Sequence, residues 1–343
     1  MTGAGAPGAP GIIKCLMDIS WINLLVGDMN PLASGRFLND TFVDLLPAND
    51  ESYLEHIIDV CHKHHIELIF PLVTKELFLF SENKQRLIDE GIRVIVSDHD
   101  SLRIANNKLV LFEHLVANGI KVPSFYRVTN YDDIALRSKD FDYPNKQFVL
   151  KYGPGNGSRG VRIFDERSDL FKKFMDEKPN SLETDLTSFK QVIGKNLLND
   201  FFVMEYLPGS EVTVDTVIKS GDIIIELIRK RNKINAGISV AGEFIDNDEV
   251  SEKIRQIVST LDLEGNIGFQ FKLDVNDEYQ LIEMNPRIQG TSIASMGMNI
   301  NLPEIALCSI LNKTIEIPST KNKIGFVRYY EEAFYDPAKF TKK

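Results

Sequence analysis

Cysteine is scarce in this chain: three residues in 343, at positions 15, 61 and 308. An odd, widely spaced set excludes a disulfide framework and points to reduced thiols packed as small hydrophobes. Long apolar runs are missing as well. Nothing approaches the roughly 18 uninterrupted apolar residues that a membrane span needs, and no basic region precedes an apolar one at the start. The expectation is a cytoplasmic protein without a membrane partner. Basic clusters are confined to Arg229-Lys230-Arg231 in a chain of net charge −10, so a surface for a nucleic-acid backbone is not expected. Small molecules are the expected partners. What is present is the composition of a globular protein, 43% hydrophobic and 26% charged, and a length that predicts two or three packed domains.

The first hundred residues alternate strand-like runs (22–26, 68–71, 94–96) with helical ones (53–64, 77–90), which predicts a parallel α/β sheet. Glycines 3, 5 and 8 and the turn around Asp28 fall where strands would deliver their ends. After residue 101 the spacing predicts a helix over 107–115, broken by Val122-Pro123. Strands over 148–151 and 160–164 are joined by a glycine-rich loop. Residues 165–200 read as mostly helical and polar, and 201–206 as a strand. Beyond 211, strands at 212–218, 223–229, 267–275 and 280–285 with a helix at 251–261 predict an antiparallel sheet with helices. A last helix is expected over 302–311 and a late strand over 325–330.

The chemistry concentrates in Leu-Ile-Glu-Met-Asn-Pro-Arg at 281–287. Alternation on a strand puts Leu281, Glu283, Asn285 and Arg287 on one face. A carboxylate and a carboxamide two residues apart are hard oxygen ligands suited to Mg²⁺ that also holds phosphate oxygens, and the arginine's fork suits an anion. Upstream, Gln270 sits between two phenylalanines, where an amide is either a satisfied core group or a third ligand. In Lys-Tyr-Gly-Pro-Gly-Asn-Gly-Ser-Arg-Gly at 151–160, the glycines let backbone N–H groups approach a phosphate chain, although the spacing is not that of a P-loop. A plain flexible hairpin is the alternative. In Glu-Tyr-Leu-Pro-Gly-Ser-Glu at 205–211, a strand leaves through a Pro-Gly turn; its backbone suits a base edge and Glu211 suits ribose hydroxyls.

Together these elements resemble the ATP-grasp superfamily, in particular its carbamoyl phosphate synthetase large subunit and carboxylate-amine ligase branch. The resemblance is carried in order by Asn107-Lys108, Lys151 with its loop, 205–211, Gln270, and Glu283-x-Asn-Pro-Arg287. It implies an α/β fold, α+β in part, with a Rossmann-like N-terminal domain over 1–100. A lid region with the glycine loop would follow over 101–207 and a C-terminal catalytic domain over 208–343. ATP and Mg²⁺, with Mn²⁺ as a substitute, would be the cofactors. Lys108, Lys151, Gly155, Gly157, Ser158 and Gly160 would meet the nucleotide phosphates, Glu205, Tyr206 and Leu207 the adenine, and Glu211 the ribose. Gln270, Glu283 and Asn285 would hold metal; Arg287, Lys151 and Arg231 would be catalytic. The implied reaction activates a carboxylate as an acyl phosphate for attack by an amine, with small-molecule substrates and room for a homodimer. A carboxyphosphate-forming or carboxylase enzyme is the nearest alternative.

Two further patterns compete. Gly3-x-Gly-x-x-Gly8 followed by Asp28 matches a dinucleotide-binding fingerprint, although only Met1 and Thr2 precede it. A dehydrogenase or a non-catalytic nucleotide-binding module is thus the reading of different class. His62, His64 and His65 suggest a metal, but at a predicted helix end the macrodipole favours histidine by itself. Glu76 and the segment 288–292 are candidates to line a substrate cavity.

Overall fold

The computed structural model describes residues 1–155, 159–167, 175, 182–235, 237–319 and 324–337. The first stretch alternates helices α1 (Ala9–Met17), α2 (Tyr53–His64), α3 (Thr74–Glu82), α4 (Lys84–Asp89) and α5 (His99–Ala105) with short strands. These strands are β1 (Val26–Asp28), β2 (Phe42–Asp44), β3 (Leu68–Ile69) and β4 (Arg93–Val94). β1 pairs with β2 and β3 with β4, both parallel, as the alternation predicts. Thr2 bridges Gly27 on one side and Pro71 on the other, again in parallel. The strand that the sequence pattern lacks before the glycines is thus supplied by two residues: Gly27 N–H donates to Met1 O, and Thr2 N–H to Phe70 O.

Two expectations need correction here. Residues 77–90 form two helices, because Asn83 leaves helical space (φ −107°, ψ 18°) and turns its side chain back to Leu79 O at 2.9 Å, the local competition that asparagine offers a helix. Helix α1 has no counterpart in the sequence reading, since Pro7, Pro10 and three glycines obscure it. Pro10 sits in its first turn, where a missing N–H costs nothing, and Ile12, Ile13, Cys15 and Leu16 bury one side of it.

The middle of the chain supplies α6 (Lys108–Ala117), β5 (Phe125–Val128), α7 (Tyr131–Arg137), β6 (Phe148–Tyr152), β7 (Arg162–Phe164), β8 (Glu183–Thr184), α8 (Leu186–Ile193) and β9 (Phe201–Glu205). The strand order is β5-β9-β6-β7-β8, and β6 and β7 form the expected antiparallel pair. Of the span expected to be mostly helical, 168–174 and 176–181 lie outside the described residues. Alternation sorts the aromatics of this sheet. Phe148 stacks on Phe164 at 4.3 Å in a core with Leu150 and Val203, while Phe202 meets Phe112 of α6 and Phe125 edge-on.

The last third adds β10 (Glu211–Lys219), β11 (Asp222–Asn235), β12 (Ile238–Ile245), α9 (Asp248–Val258), β13 (Gly265–Leu273), β14 (Tyr279–Asn285), α10 (Leu302–Ile310) and β15 (Gly325–Val327). They form a six-stranded sheet, β14-β13-β10-β11-β12-β15, joined by α9 and α10. β12 is absent from the sequence reading. Its serine, glycine and glutamate weaken the strand signal, and β11 runs six residues past its expected end through two register shifts.

The chain divides into two compact units, one of Met1–Arg103, Val212–Phe269 and Met284–Lys343, the other of Ile104–Glu211 and Gln270–Glu283. The first contains two apolar cores, around Ile13, Val26 and Leu302 and around Tyr53, Phe80 and Leu102. The second is built on the core around Phe148. All three cysteines are buried and free; burial pushes the Cys15 thiol up to about 12 and Cys61 to about 11, which makes them inert. Among the described residues no helix is long and apolar enough to cross a membrane.

Candidate active site

Within the second unit, Asn107 ends the connection into α6 by accepting from Leu109 N and Val110 N at 3.1 and 3.3 Å, a side-chain N-cap. The same carboxamide lies where a Cβ on Gly153 would stand, 2.2 Å from it, so only glycine fits at the root of the loop. Lys108 N–H donates to Gly153 O at 3.0 Å and Gly153 N–H to Asp200 O at 2.8 Å. The start of α6 is thereby fastened to the loop. Lys108 Nζ then reaches Gly155 O at 2.5 Å and lies 3.7 Å from Glu283 Oε2.

Lys151 enters the same place from β6, opposite Phe202 of β9. Its Nζ lies 3.5 Å from Ile282 O. Burial and then repulsion from Lys108 pull its ammonium down to about 8, against the attraction of Glu283 and Glu211. With Lys272, three lysines are thus held near the two carboxylates Glu283 and Glu211, an excess of positive charge that an anion would relieve. Lys272 adds a third cation that the sequence reading missed: burial lowers its amine, Glu211 raises it, and it stands 5.1 Å over the Tyr206 ring. The signal was available, since Lys272 lies two residues from Gln270 and shares its face of β13.

Gln270 is half-buried on β13, the strand beside β14 that carries Glu283. At the other end of β9, Glu205 accepts from Ser124 N at 2.7 Å while its own N–H donates to Ser124 O. Gly209 N–H then donates to Leu273 O, and a Cβ at Gly209 would come 2.4 Å from that of Leu273. The segment 206–208 is left spanning the gap between β9 and β10. Gly155 and Gly160 stand at the two ends of the loop; Gly157 and Ser158 lie outside the described residues.

The remaining predicted residues belong to the first unit. Asn285 follows Glu283 by two on β14 and is buried. Arg287 turns tightly after it, its N–H on Asn285 O at 2.8 Å, its Nε 3.2 Å from Thr74 Oγ1 and its Nη1 on Ile288 O. Arg231 on β11 donates to Ser239 Oγ at 2.8 Å and Gly237 O at 2.6 Å. Glu76 is buried in α3 and accepts from Thr2 Oγ1 and Tyr53 Oη at 2.5 and 2.7 Å; burial raises its carboxyl to about 7.

The dinucleotide pattern resolves differently from its sequence form. Asp28 Oδ2 accepts from Gly5 N at 2.7 Å, so this acid ties down the glycine turn itself. A Cβ at Gly8 would come 2.2 Å from Gly290 Cα, so this glycine is needed for backbone packing against the segment after Arg287. His62 pairs with Glu90 at the end of α2.

Residues 198–333 match the family model described as ATP-grasp in the biosynthetic pathway with Ter operon, and residues 13–95 the PylC-like N-terminal domain. No curated protein matches the chain in sequence. Among solved structures, the ADP complex of N5-carboxyaminoimidazole synthetase from Staphylococcus aureus is 15% identical, with a TM-score of 0.65 over 92% of this chain and 77% of that one. N5-carboxyaminoimidazole ribonucleotide synthetase from Thermus thermophilus is 14% identical, with a TM-score of 0.66 over 95% and 81%. The biotin carboxylase domain of the Hydrogenobacter thermophilus 2-oxoglutarate carboxylase, solved with MgADP, ADP and bicarbonate, is 14% identical, with a TM-score of 0.64 over 89% and 67%. At such identities the likeness is one of fold. Residues 198–333 are thus similar to an ATP-grasp family, and the fold of the chain is that of these solved structures.

Proposed function

We propose that this protein is an ATP- and Mg²⁺-dependent ligase that activates a carboxylate as an acyl phosphate and passes it to an amine. The observation that carries the reading is the convergence of Lys108 and Lys151 on Glu283 beside a glycine loop. A γ-phosphoryl group approaching a carboxylate brings anions together, and fixed cations offset that repulsion where charge builds in transfer. Lys108 and Lys151 take the phosphate oxygens, with Gly155, Gly157, Ser158 and Gly160 covering them. The backbone of Tyr206 and Leu207 makes no hydrogen bond among the described residues, as an adenine edge requires of its partner, whereas Glu205 acts by holding the strand end through Ser124. Glu211 takes the ribose.

The metal set is judged on its donors. Glu283 offers a carboxylate that is about a quarter exposed, and Asn285, two residues on, offers a carboxamide of the same hard character, with Gln270 on the neighbouring strand. One carboxylate and two amides suit a cation that shares its shell with phosphate oxygens and water, Mg²⁺ first and Mn²⁺ in its place. A cation held by Glu283, Asn285 and Gln270 would supply neutralisation of phosphate charge. Arg287 and Arg231 belong to the other unit, and their roles toward the transferred group rest on their place in the sequence pattern.

Screening pairs of small carboxylates and amines for ADP release tests the reading. Release only when both substrates and Mg²⁺ are present supports it. Release with bicarbonate and no amine would favour a carboxylase, and no release with any pair, together with no ATP binding, would overturn it.

A further inference from the structure

The six-stranded sheet ends on β15, which pairs with β12 on one side and, among the described residues, with no strand on the other. Ile324 O and Arg328 N–H both turn inward, meeting Phe244 N and Val240 O at 3.0 and 2.8 Å. By alternation the backbone groups of Gly325, Val327 and Tyr329 point outward, away from β12. The chain does not fold back after β15. Residues 328–336 contain neither a turn nor a bend, and 329–337 are all exposed. From Tyr329 to Phe334 no backbone group makes a backbone hydrogen bond among the described residues. Side chains tie this strip to its own unit, Arg328 Nη2 to Pro7 O at 3.3 Å and Lys14 Nζ to Glu331 at 3.5 Å.

The strip carries large apolar side chains in water. Val327 and Tyr329 are 78% exposed, Tyr330 88% and Phe334 94%. An open strand edge pairs readily with another chain, and natural sheets blunt it with charge, proline or short length. A contiguous exposed apolar run beside such an edge has the character of an interface. The charges of the strip, Arg328, Glu331 and Glu332, say which chain the edge accepts. Let two copies pair antiparallel about a two-fold axis through Tyr330. Arg328 of each then lies opposite Glu332 of the other, Val327 opposite Ala333, and Phe326 opposite Phe334. Positions 329 and 331, whose backbone groups point outward, face each other, as the ladder requires. Moving the axis two residues either way sets Arg328 or Glu332 against itself, and like charges directly opposite are destabilising. Glu332 is exposed and makes no ion pair among the described residues, so its carboxylate is available to a second copy. A strand pair alone is weak in water; burial of Tyr329, Tyr330 and Phe334 adds the apolar contribution that the backbone lacks.

We propose that residues 325–334 form the interface of a homodimer, in which two copies of the chain join β15 to β15 and continue one sheet into the other. The contact is isologous, so each opposite-charge pair occurs twice. None of these residues is assigned a part in the ligase reaction, so the two claims fail separately.

Sedimentation velocity of the full chain over a concentration series should give a dimer that dissociates on dilution. E332R places Arg328 opposite a second cation on both sides of the axis and should raise the dissociation constant about ten-fold or more. Its far-ultraviolet circular dichroism should match wild type, since Glu332 touches nothing in its own chain. The register is read by cross-linking. Position 330 and its copy form a non-hydrogen-bonded pair with Cα atoms about 4.5 Å apart, within disulfide reach. Oxidised glutathione should therefore link Y330C into a covalent dimer. V327C should not link, because six residues along the strand set that position roughly 20 Å from its copy. The three native cysteines are buried and do not compete. A wild-type chain that stays monomeric throughout, a dimer unmoved by E332R, or no link in Y330C overturns the proposal, as does V327C linking as readily as Y330C.

Discussion

Glu76 and Lys151 are both ionisable groups drawn in from solvent, one in each unit, and the structure treats them in opposite ways. Glu76 meets two hydroxyl donors, Thr2 and Tyr53, and closes a local network. Lys151 meets one carbonyl at 3.5 Å and a second lysine that repels it. A satisfied group holds its surroundings together, whereas an under-satisfied one awaits a ligand. The contrast also reassigns Glu76: it stays a candidate neighbour of a substrate cavity only through the turn it stabilises.

The largest effect that could break this comparison is expected at Lys151. K151A should lower ADP release by about 10² to 10³, the loss typical of removing one donor to a developing oxyanion, and E283Q should abolish the release that Mg²⁺ supports. Full turnover by K151A would make Lys151 a structural residue like Glu76.

Next is the effect of Tyr53→Phe, which removes one donor from a buried carboxylate. A cost of about 1–3 kcal/mol should appear in denaturant unfolding, with ATP affinity intact. A matching loss of ATP affinity would tie Glu76 to the nucleotide site.

The two groups also differ in how pH reads them. The Glu76 carboxyl is raised to about 7 from 4.5, so between these values the folded chain holds more protons than the unfolded one. Its contribution to stability therefore falls as pH rises through that window and is level above it. The stability of wild type relative to E76Q should fall from pH 5 to pH 7, and a constant difference would remove Glu76 as the cause. For Lys151, held at about 8, bound phosphate raises the ammonium again. ATP binding near pH 8 should therefore take up protons, seen as a dependence of the calorimetric heat on buffer ionisation, and K151A should lack that part of it.

The smallest effect is set by a cap alone. Asn247 accepts from Val250 N at 2.9 Å at the start of α9, and Asn247→Ala should cost about 1 kcal/mol of stability with no change in ATP affinity.

Much of the fold was legible because its strands and helices repeat their apolar residues at 2.0 and 3.6. The parallel opening, the hairpin of β6 and β7, and the four strands over 212–285 all follow from that. β12 and α1 escaped because serine, glycine and proline interrupt their periods while burial elsewhere holds them in place. Of the candidate site, residue types and order were legible in Glu283-x-Asn285 and in the glycine loop. Lys272 shares the face of Gln270 on β13, so its register marked it as well.

By itself the sequence determined the periodicities, the composition, and the ordered pattern of lysines, glycines and oxygen donors, since each depends on neighbours within a few positions. The tertiary structure alone decided which charges meet. It set Lys108 near Glu283 across 175 residues of chain. It gave the glycine turn to Asp28 and Gly290. Such pairings are fixed by strand order and register, which depend on how distant segments bury one another.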